Sequence, residues 1–252
     1  TARQVNYNAD YLSLMKIPLL EGQPLKGDGD ILVNESFVSK RGWTDAAIGK
    51  YIYDDEGNLK GMPVVVVQCG VGKVNAAMCV QILADLYDVT HIINTGVAGS
   101  LNPVLDIGDI LVSKDAIQHD MDVTPLGYVK GQIPGLEQLA FTADEKLCKT
   151  AVEVCKKVNP DINVTEGRVV SGDQFISSKE IKDALIAEFH PDCTEMEGAS
   201  IAQAATLNNI PYVVIRAISD KADGSAQEDY PTFEKKAAEH CAKLVQEMMK
   251  EL

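Results

Sequence analysis

The sequence predicts an α/β fold built on a mostly parallel sheet. Two observations carry this expectation. From Pro63 onward, short β-branched or apolar runs alternate with longer segments of helical periodicity. Small-residue turns stand at the ends of those runs, where an open parallel sheet presents its strand ends to a ligand.

In chain order, Val64–Val67 is long enough for a buried strand. Gly70-Val71-Gly72-Lys73 follows it, and Val74–Tyr87 has helical spacing. His91–Asn94 reads as a second strand ending in the turn Thr95-Gly96-Val97-Ala98-Gly99-Ser100, and Asp109–Ser113 as a third. Ala143–Val158 is a Lys/Glu-rich amphipathic helix. Arg168–Ser171 and Pro211–Ile218 are further strands, separated by helical stretches at Ser178–Phe189 and Glu197–Asn208. Tyr230–Leu252 is a last amphipathic helix, with Pro231 where helix N-termini accept it. The first 58 residues read differently. Pro18, Pro24 and a Gly27–Asp30 loop precede one strand–helix candidate, Ile31-Leu32-Val33 then Asn34-Glu35-Ser36-Phe37, and Gly57-Asn58 reads as a turn.

Composition narrows the partners. The chain has 252 residues, 46% of them apolar, enough for one large core or two small ones. A formal charge of −14 disfavours nucleic acid and anionic membrane surfaces but not a small neutral or cationic substrate. The six cysteines form no Cys-x-x-Cys pair, and with 4 histidines no metal site is expected. Scattered cysteines in such a chain read as reduced thiols of a cytoplasmic protein. There is no signal-peptide pattern and no apolar run that would span a bilayer.

Five strand ends carry residues suited to chemistry. Gly70-Val71-Gly72-Lys73 is a backbone cradle for phosphate or sugar, or only a tight turn; it lacks the third glycine of a dinucleotide fingerprint and the pattern of a P-loop. Thr95–Ser100 lets a flat ligand approach the backbone, or is again a turn. In Ser171-Gly172-Asp173-Gln174-Phe175-Ile176, Phe175 either stacks on a base or belongs to the core. Glu195-Met196-Glu197-Gly198 offers two carboxylates ahead of an apolar helix, to hold ribose hydroxyls or to cap that helix. Arg216-Ala217-Ile218-Ser219-Asp220 sets an acid beside a serine past a buried strand, as a general acid or as the cap of a following helix.

Taken in order, these stretches resemble the 5′-methylthioadenosine/S-adenosylhomocysteine nucleosidases of the wider nucleoside phosphorylase family. Further matching stretches are Gly108–Ser113, His119–Thr124 and Gly131–Gly135, and the likeness runs from about Leu59 to Leu252. It implies a three-layer α/β/α fold with a mixed, mostly parallel central sheet. It also implies hydrolysis of the N-glycosidic bond of methylthioadenosine or S-adenosylhomocysteine, without cofactor or metal. By the same resemblance Asp220 protonates adenine N7 and Ser219 holds it. Phe175 stacks on the base and the Ile176 backbone reads its edge. Glu195, Met196 and Glu197 form the ribose site, with Val71, Val97, Ala98 and Gly99 lining base and sugar and Tyr230 covering the ligand. Val123, Leu126 and Pro134 match positions that complete the 5′-thio pocket of a partner subunit, which implies a homodimer. Phosphorylases of the family carry an Arg ahead of the glycine-rich turn; Ile93-Asn94-Thr95 stands there with no cation, which favours water as nucleophile.

The likeness stops upstream of Leu59. The family opens with an apolar strand and a Glu that positions the attacking water. Residues 2–58 instead resemble the extracytoplasmic core domain of macrolide-exporter-type ABC permeases, through Tyr11–Gly22, Ile31–Phe37 and Ile48-Gly49-Lys50. The expected organisation is therefore an atypical segment over 1–58, a fusion or misjoined piece, and a nucleosidase domain over 59–252. Ile31–Val33 could fill the vacant strand slot and bring Glu35 to the place of the water-positioning acid; Glu35 as a solvated helix residue is the alternative. Three functions stay open: an active nucleosidase, a nucleoside-binding module with little turnover because that Glu is missing, and a permease fragment. Methylthioadenosine, S-adenosylhomocysteine, 5′-deoxyadenosine and futalosine-type nucleosides are not ranked by these residues.

Overall fold

The computed structural model describes residues 31–33, 50–53, 59–223, 233, 240–241 and 243–252. Glu35, Tyr230, Pro231 and the permease-like stretch Tyr11–Gly22 lie outside them.

Nine strands fall in two sheets among the described residues. The smaller sheet has the order β1 (Ile31–Val33), β3 (Leu59–Val66), β2 (Lys50–Tyr53). The strand expected at Ile31–Val33 is present. It runs parallel to β3, with Ile31 opposite Val64 and Val33 opposite Val66, and lies against β4. β2 pairs antiparallel with β3, so the boundary expected at residue 58 falls between two strands of one sheet.

The larger sheet joins β4 (Ile92–Ser100), β5 (Ile110–Gln118), β6 (Phe141–Thr142), β7 (Val164–Ser171), β8 (Cys193–Glu195) and β9 (Tyr212–Asp220), in the order β6-β5-β7-β8-β4-β9. It is mixed. The two longest registers, β4 with β9 and β5 with β7, are parallel. An antiparallel contact of Ile110–Val112 with Ile215–Ala217 closes the sheet on itself. All of β9 is buried, which is why its first half, Tyr212–Ile215, reads as an unbroken apolar run rather than an alternating one.

Four helices complete the α/β/α arrangement: α1 (Lys73–Tyr87), α2 (Glu145–Val158), α3 (Lys179–Phe189) and α4 (Gly198–Leu207). α1 packs on α4, α4 on β5, β7 and β9, and α2 on the same three strands. Asp144 caps α2 by accepting from the Leu147 amide at 2.8 Å. Residues 243–248 are helical and bury Leu244, Val245 and Met248.

Several strands outrun their sequence pattern. The expected turn Thr95–Ser100 is the second half of β4, irregular only between Ala98 and Gly99. Its glycines serve close approach. A Cβ on Gly96 would stand 3.2 Å from the Arg216 guanidinium, and one on Gly99 would stand 2.7 Å from the Asp220 carboxylate. Small residues here leave room for functional side chains of the neighbouring strand, which a turn-residue reading mistakes for a chain reversal.

Candidate active site

Strand ends β4, β7, β8 and β9 converge on a cavity of about 330 Å³. Val97, Ala98 and Gly99 line it from β4, Gln174, Phe175 and Ile176 from the segment after β7, and Glu195, Met196 and Glu197 from the end of β8. Ser219 and Asp220 come from β9, and Val71 from the turn before α1. Every described residue expected on the substrate is thus brought to one cavity. Gln174 and Thr194 line it as well and were not expected. Val123, Leu126 and Pro134 do not line it; Leu126 and Pro134 are exposed and Val123 is half-buried.

Asp220 is 3% exposed and ends β9. Ser219 Oγ donates to its Oδ2 at 2.9 Å and the Ala222 amide to its Oδ1 at 2.7 Å. Of the two readings given to this acid, cap or cavity acid, its placement among the lining residues answers for the cavity.

The acids of β8 divide their work. Glu195 is buried. Its Oε2 accepts from the Gly198 amide at 2.8 Å, the Glu197 amide at 3.1 Å and Arg216 Nε at 3.1 Å. Arg216 Nη2 also donates to that oxygen, and Ser171 Oγ donates to Oε1. Burial alone would raise the Glu195 carboxyl, but the Arg216 guanidinium and these donors hold it below the usual range. Glu195 is therefore the acid that caps α4. Glu197 makes no side-chain cap bond; it crosses to the other wall, where its Oε1 accepts from the Gly72 amide at 2.8 Å. Burial and the neighbouring Glu195 push its carboxyl up.

That contact also answers the question posed by Gly70–Lys73. The α1 N-terminus offers its amides to the protein's own carboxylates: Gly72 N to Glu197, and Lys73 N to Asp173 Oδ1 at 2.8 Å. Neither donor awaits a phosphate. Gly72 holds φ +92, a conformation L side chains rarely adopt.

A second chamber of about 230 Å³ adjoins the first, sharing Val71, Val97 and Glu197. Cys69, Asn94, Gly96 and Arg216 also line it. Ile93-Asn94-Thr95 supplies no cation of its own, but the place is not without one: Arg216 Nη2 donates to Asn94 Oδ1 at 2.6 Å. The guanidinium arrives from β9, not from β4. Burial opposes its charge, but Glu195 and Glu197 beside it keep it protonated. Two carboxylates thus flank one guanidinium that is itself bound to Glu195. Burial pushes the Cys69 thiol up to about 11, with Glu197 adding to the shift, so Cys69 supplies no thiolate near neutral pH.

The chain belongs to the phosphorylase superfamily, whose family model matches residues 42–250 and so begins ahead of the boundary expected at residue 58. The 5′-methylthioadenosine/S-adenosylhomocysteine nucleosidase of Anoxybacillus flavithermus is 41% identical over 198 residues, 78% of this chain and 84% of the relative. The Neisseria meningitidis nucleosidase of the same name, solved with methylthio-immucillin-A, superposes with a TM-score of 0.79 at 32% identity, over 90% of this chain and 100% of that one. The futalosine hydrolase of Helicobacter pylori superposes with a TM-score of 0.78 at 30% identity, over 89% and 98% of the two chains.

Proposed function

We propose that this chain hydrolyses the N-glycosidic bond of 5′-methylthioadenosine and S-adenosylhomocysteine, releasing adenine and the 5-thioribose. The observation that carries the reading is the meeting of Asp220 and Glu197 on one cavity that Phe175 and Ile176 also line. Cleavage builds positive charge on the ribose and negative charge on the departing purine. Asp220, oriented by Ser219 and the Ala222 amide, delivers a proton to adenine N7 and neutralises the leaving group. Glu197 accepts from the ribose hydroxyls and its charge favours the oxocarbenium ion. Phe175 stacks on the base, Ile176 meets the base edge through its backbone, and Met196 packs on the sugar. Glu195 acts one step back: its acceptors are engaged by Arg216, Ser171 and the α4 amides, so it fixes Glu197 rather than the ligand.

Water as nucleophile is supported by the charge of the second chamber. The guanidinium there is balanced by Glu195, and Glu197 adds a further negative charge, so a phosphate dianion would meet net repulsion. Glu35 is proposed to orient that water. The support is the pairing of Val33 with Val66, which brings β1 to the edge of the strand that runs on into the chamber-lining residues from Val67 to Val71.

Leu126 and Pro134, exposed and outside the chain's own cavity, and Val123 support a homodimer in which each subunit completes its partner's 5′ pocket. Six unpaired cysteines support a reducing, cytoplasmic setting. Among the described residues no helix is long and apolar enough to cross a membrane. The likeness of the first residues to a permease domain supports a junction with a segment of other origin, upstream of residue 42 where the superfamily match begins.

The test is adenine release from methylthioadenosine, with and without phosphate. The wild type releases adenine and free thioribose in both, and Asp220→Asn is slower by about 10²–10⁴-fold. A sugar phosphate among the products, or an unimpaired Asp220→Asn, would overturn the assignment.

A further inference from the structure

Three residues outside the cavity's polar wall close a ring behind it. Lys73 Nζ lies 2.5 Å from Asp120 Oδ1, and both side chains are 17% exposed. Asp120 Oδ2 accepts from the Asp173 amide at 3.0 Å. Asp173 Oδ1 in turn accepts from the Lys73 amide at 2.8 Å. Lys73 therefore supplies both ends of the ring, ammonium and backbone amide. A further contact to Gln118 Oε1 at 3.1 Å fixes the ammonium. The ring ties the α1 N-terminus, whose preceding amide holds Glu197, to the segment that carries Phe175 and Ile176. Burial opposes the charge on Asp120, but Lys73 and the Asp173 amide keep its carboxyl below the usual range.

We propose that Lys73 is a positioning residue for the base subsite: by bridging Asp120 to the α1 turn it holds residues 173–176 at the distance from Glu197 that an adenine nucleoside spans. The inference rests on the nucleosidase reading for the identity of the base. Without the ammonium, Asp120 and Asp173 become two like charges on adjoining loops, and the segment bearing Phe175 moves away from the cavity. The base is gripped by that segment equally before and during bond cleavage, whereas the proton donor sits on β9, which the ring does not touch. Loss of the ring therefore weakens binding of ground state and transition state alike, which raises KM and spares kcat. A merely structural role would do the opposite, lowering the active fraction at unchanged KM.

The experiment compares wild type, Lys73→Met, Lys73→Arg, Asp120→Asn and the double variant K73M/D120N. Steady-state kinetics with methylthioadenosine, calorimetric binding of adenine and thermal melting are measured on each. Lys73→Met should raise KM and the adenine Kd about tenfold, or 1.4 kcal/mol, with kcat within about threefold of wild type. Lys73→Arg should restore both. The double variant should be no worse than Lys73→Met, because removing Asp120's charge removes the repulsion. Unchanged KM and adenine affinity in a folded Lys73→Met would overturn the proposal, as would additive losses in the double variant or a fall in kcat alone. If the wild type binds adenine but releases none, the nucleosidase reading fails, and the adenine Kd series still decides the role of Lys73.

Discussion

Gly99→Ala tests the place of Asp220 through a residue that carries no chemistry of its own. The added Cβ would stand 2.7 Å from Asp220 Oδ1 and 2.8 Å from Ala222 Cβ. The first contact is about 0.7 Å short of the 3.4 Å at which ordinary contact begins. Asp220 has little freedom to retreat, since its two oxygens are held by Ser219 and the Ala222 amide and its backbone pairs with Gly99 itself. The strain falls on the carboxylate and the 220–222 turn. A misplacement approaching 1 Å costs on the order of 10²-fold in rate, and overpacking a close-packed site costs about 1–3 kcal/mol in stability. The expected variant is folded, melts lower by about 2–4 °C per kcal/mol lost, and loses 10- to 100-fold in kcat with KM changed little. Stopped assays of adenine release beside thermal melts read both quantities. A folded Gly99→Ala with wild-type kcat would refute the argument that Asp220 works at the position described.

Three further perturbations address the remaining assignments. Glu197→Gln should weaken both KM and kcat, each lost charge-assisted bond being worth about 1.5–3 kcal/mol. Because burial and Glu195 raise the Glu197 carboxyl, wild-type kcat/KM should fall as pH drops through a value above the ordinary carboxylate range; a Gln variant that keeps this acid limb assigns it elsewhere. Arg216→Met leaves Glu195 charged, buried and unpaired, which costs about 3–5 kcal/mol, and adding Glu195→Gln should recover part of that in denaturant melts; no recovery would deny the pairing its role. Glu35→Gln should cut hydrolysis sharply while adenine binding and melting temperature hold, and full-rate hydrolysis by that variant would remove Glu35 from the mechanism.

The fold was legible where burial leaves a simple pattern. α1, α2, α3 and α4 match their expected bounds to within about two residues at either end; the first three each bury one face, Asp144 or Ser178 marks a start, and α4 is an apolar stretch buried continuously over Gly198–Ala202. The strands were legible only in part. β4 and β5 continue past their expected runs into residues such as Thr95 and Asp115, and β7 begins ahead of its run at residues such as Glu166; the sheet pairs all three with partners far along the chain. β6 and β8, of two and three residues, carry too few positions to show any period. β2 is an edge strand whose pairing with β3 is set by a partner, not by its own residues.

The site shows the same division, and Arg216 is its sharpest case. The local motifs place Asp220, Glu197 and Phe175 at strand ends, and the cavity gathers them because strand ends of one sheet are neighbours in space. A residue's absence from one motif, by contrast, says nothing about what a neighbouring strand delivers. Asn94 stands in β4 register with Val214, two positions before Arg216, close enough for the long guanidinium to reach it. Motif reading along a single strand therefore sees no cation where the folded protein puts one. On the proposed reading, water is favoured over phosphate not because that charge is absent but because Glu195 already pairs with it. An Arg on β4 with no acid beside it would leave a guanidinium open to an anion; an Arg on β9 that is bound to the α4-capping acid would, on the same reading, leave that volume to a neutral nucleophile.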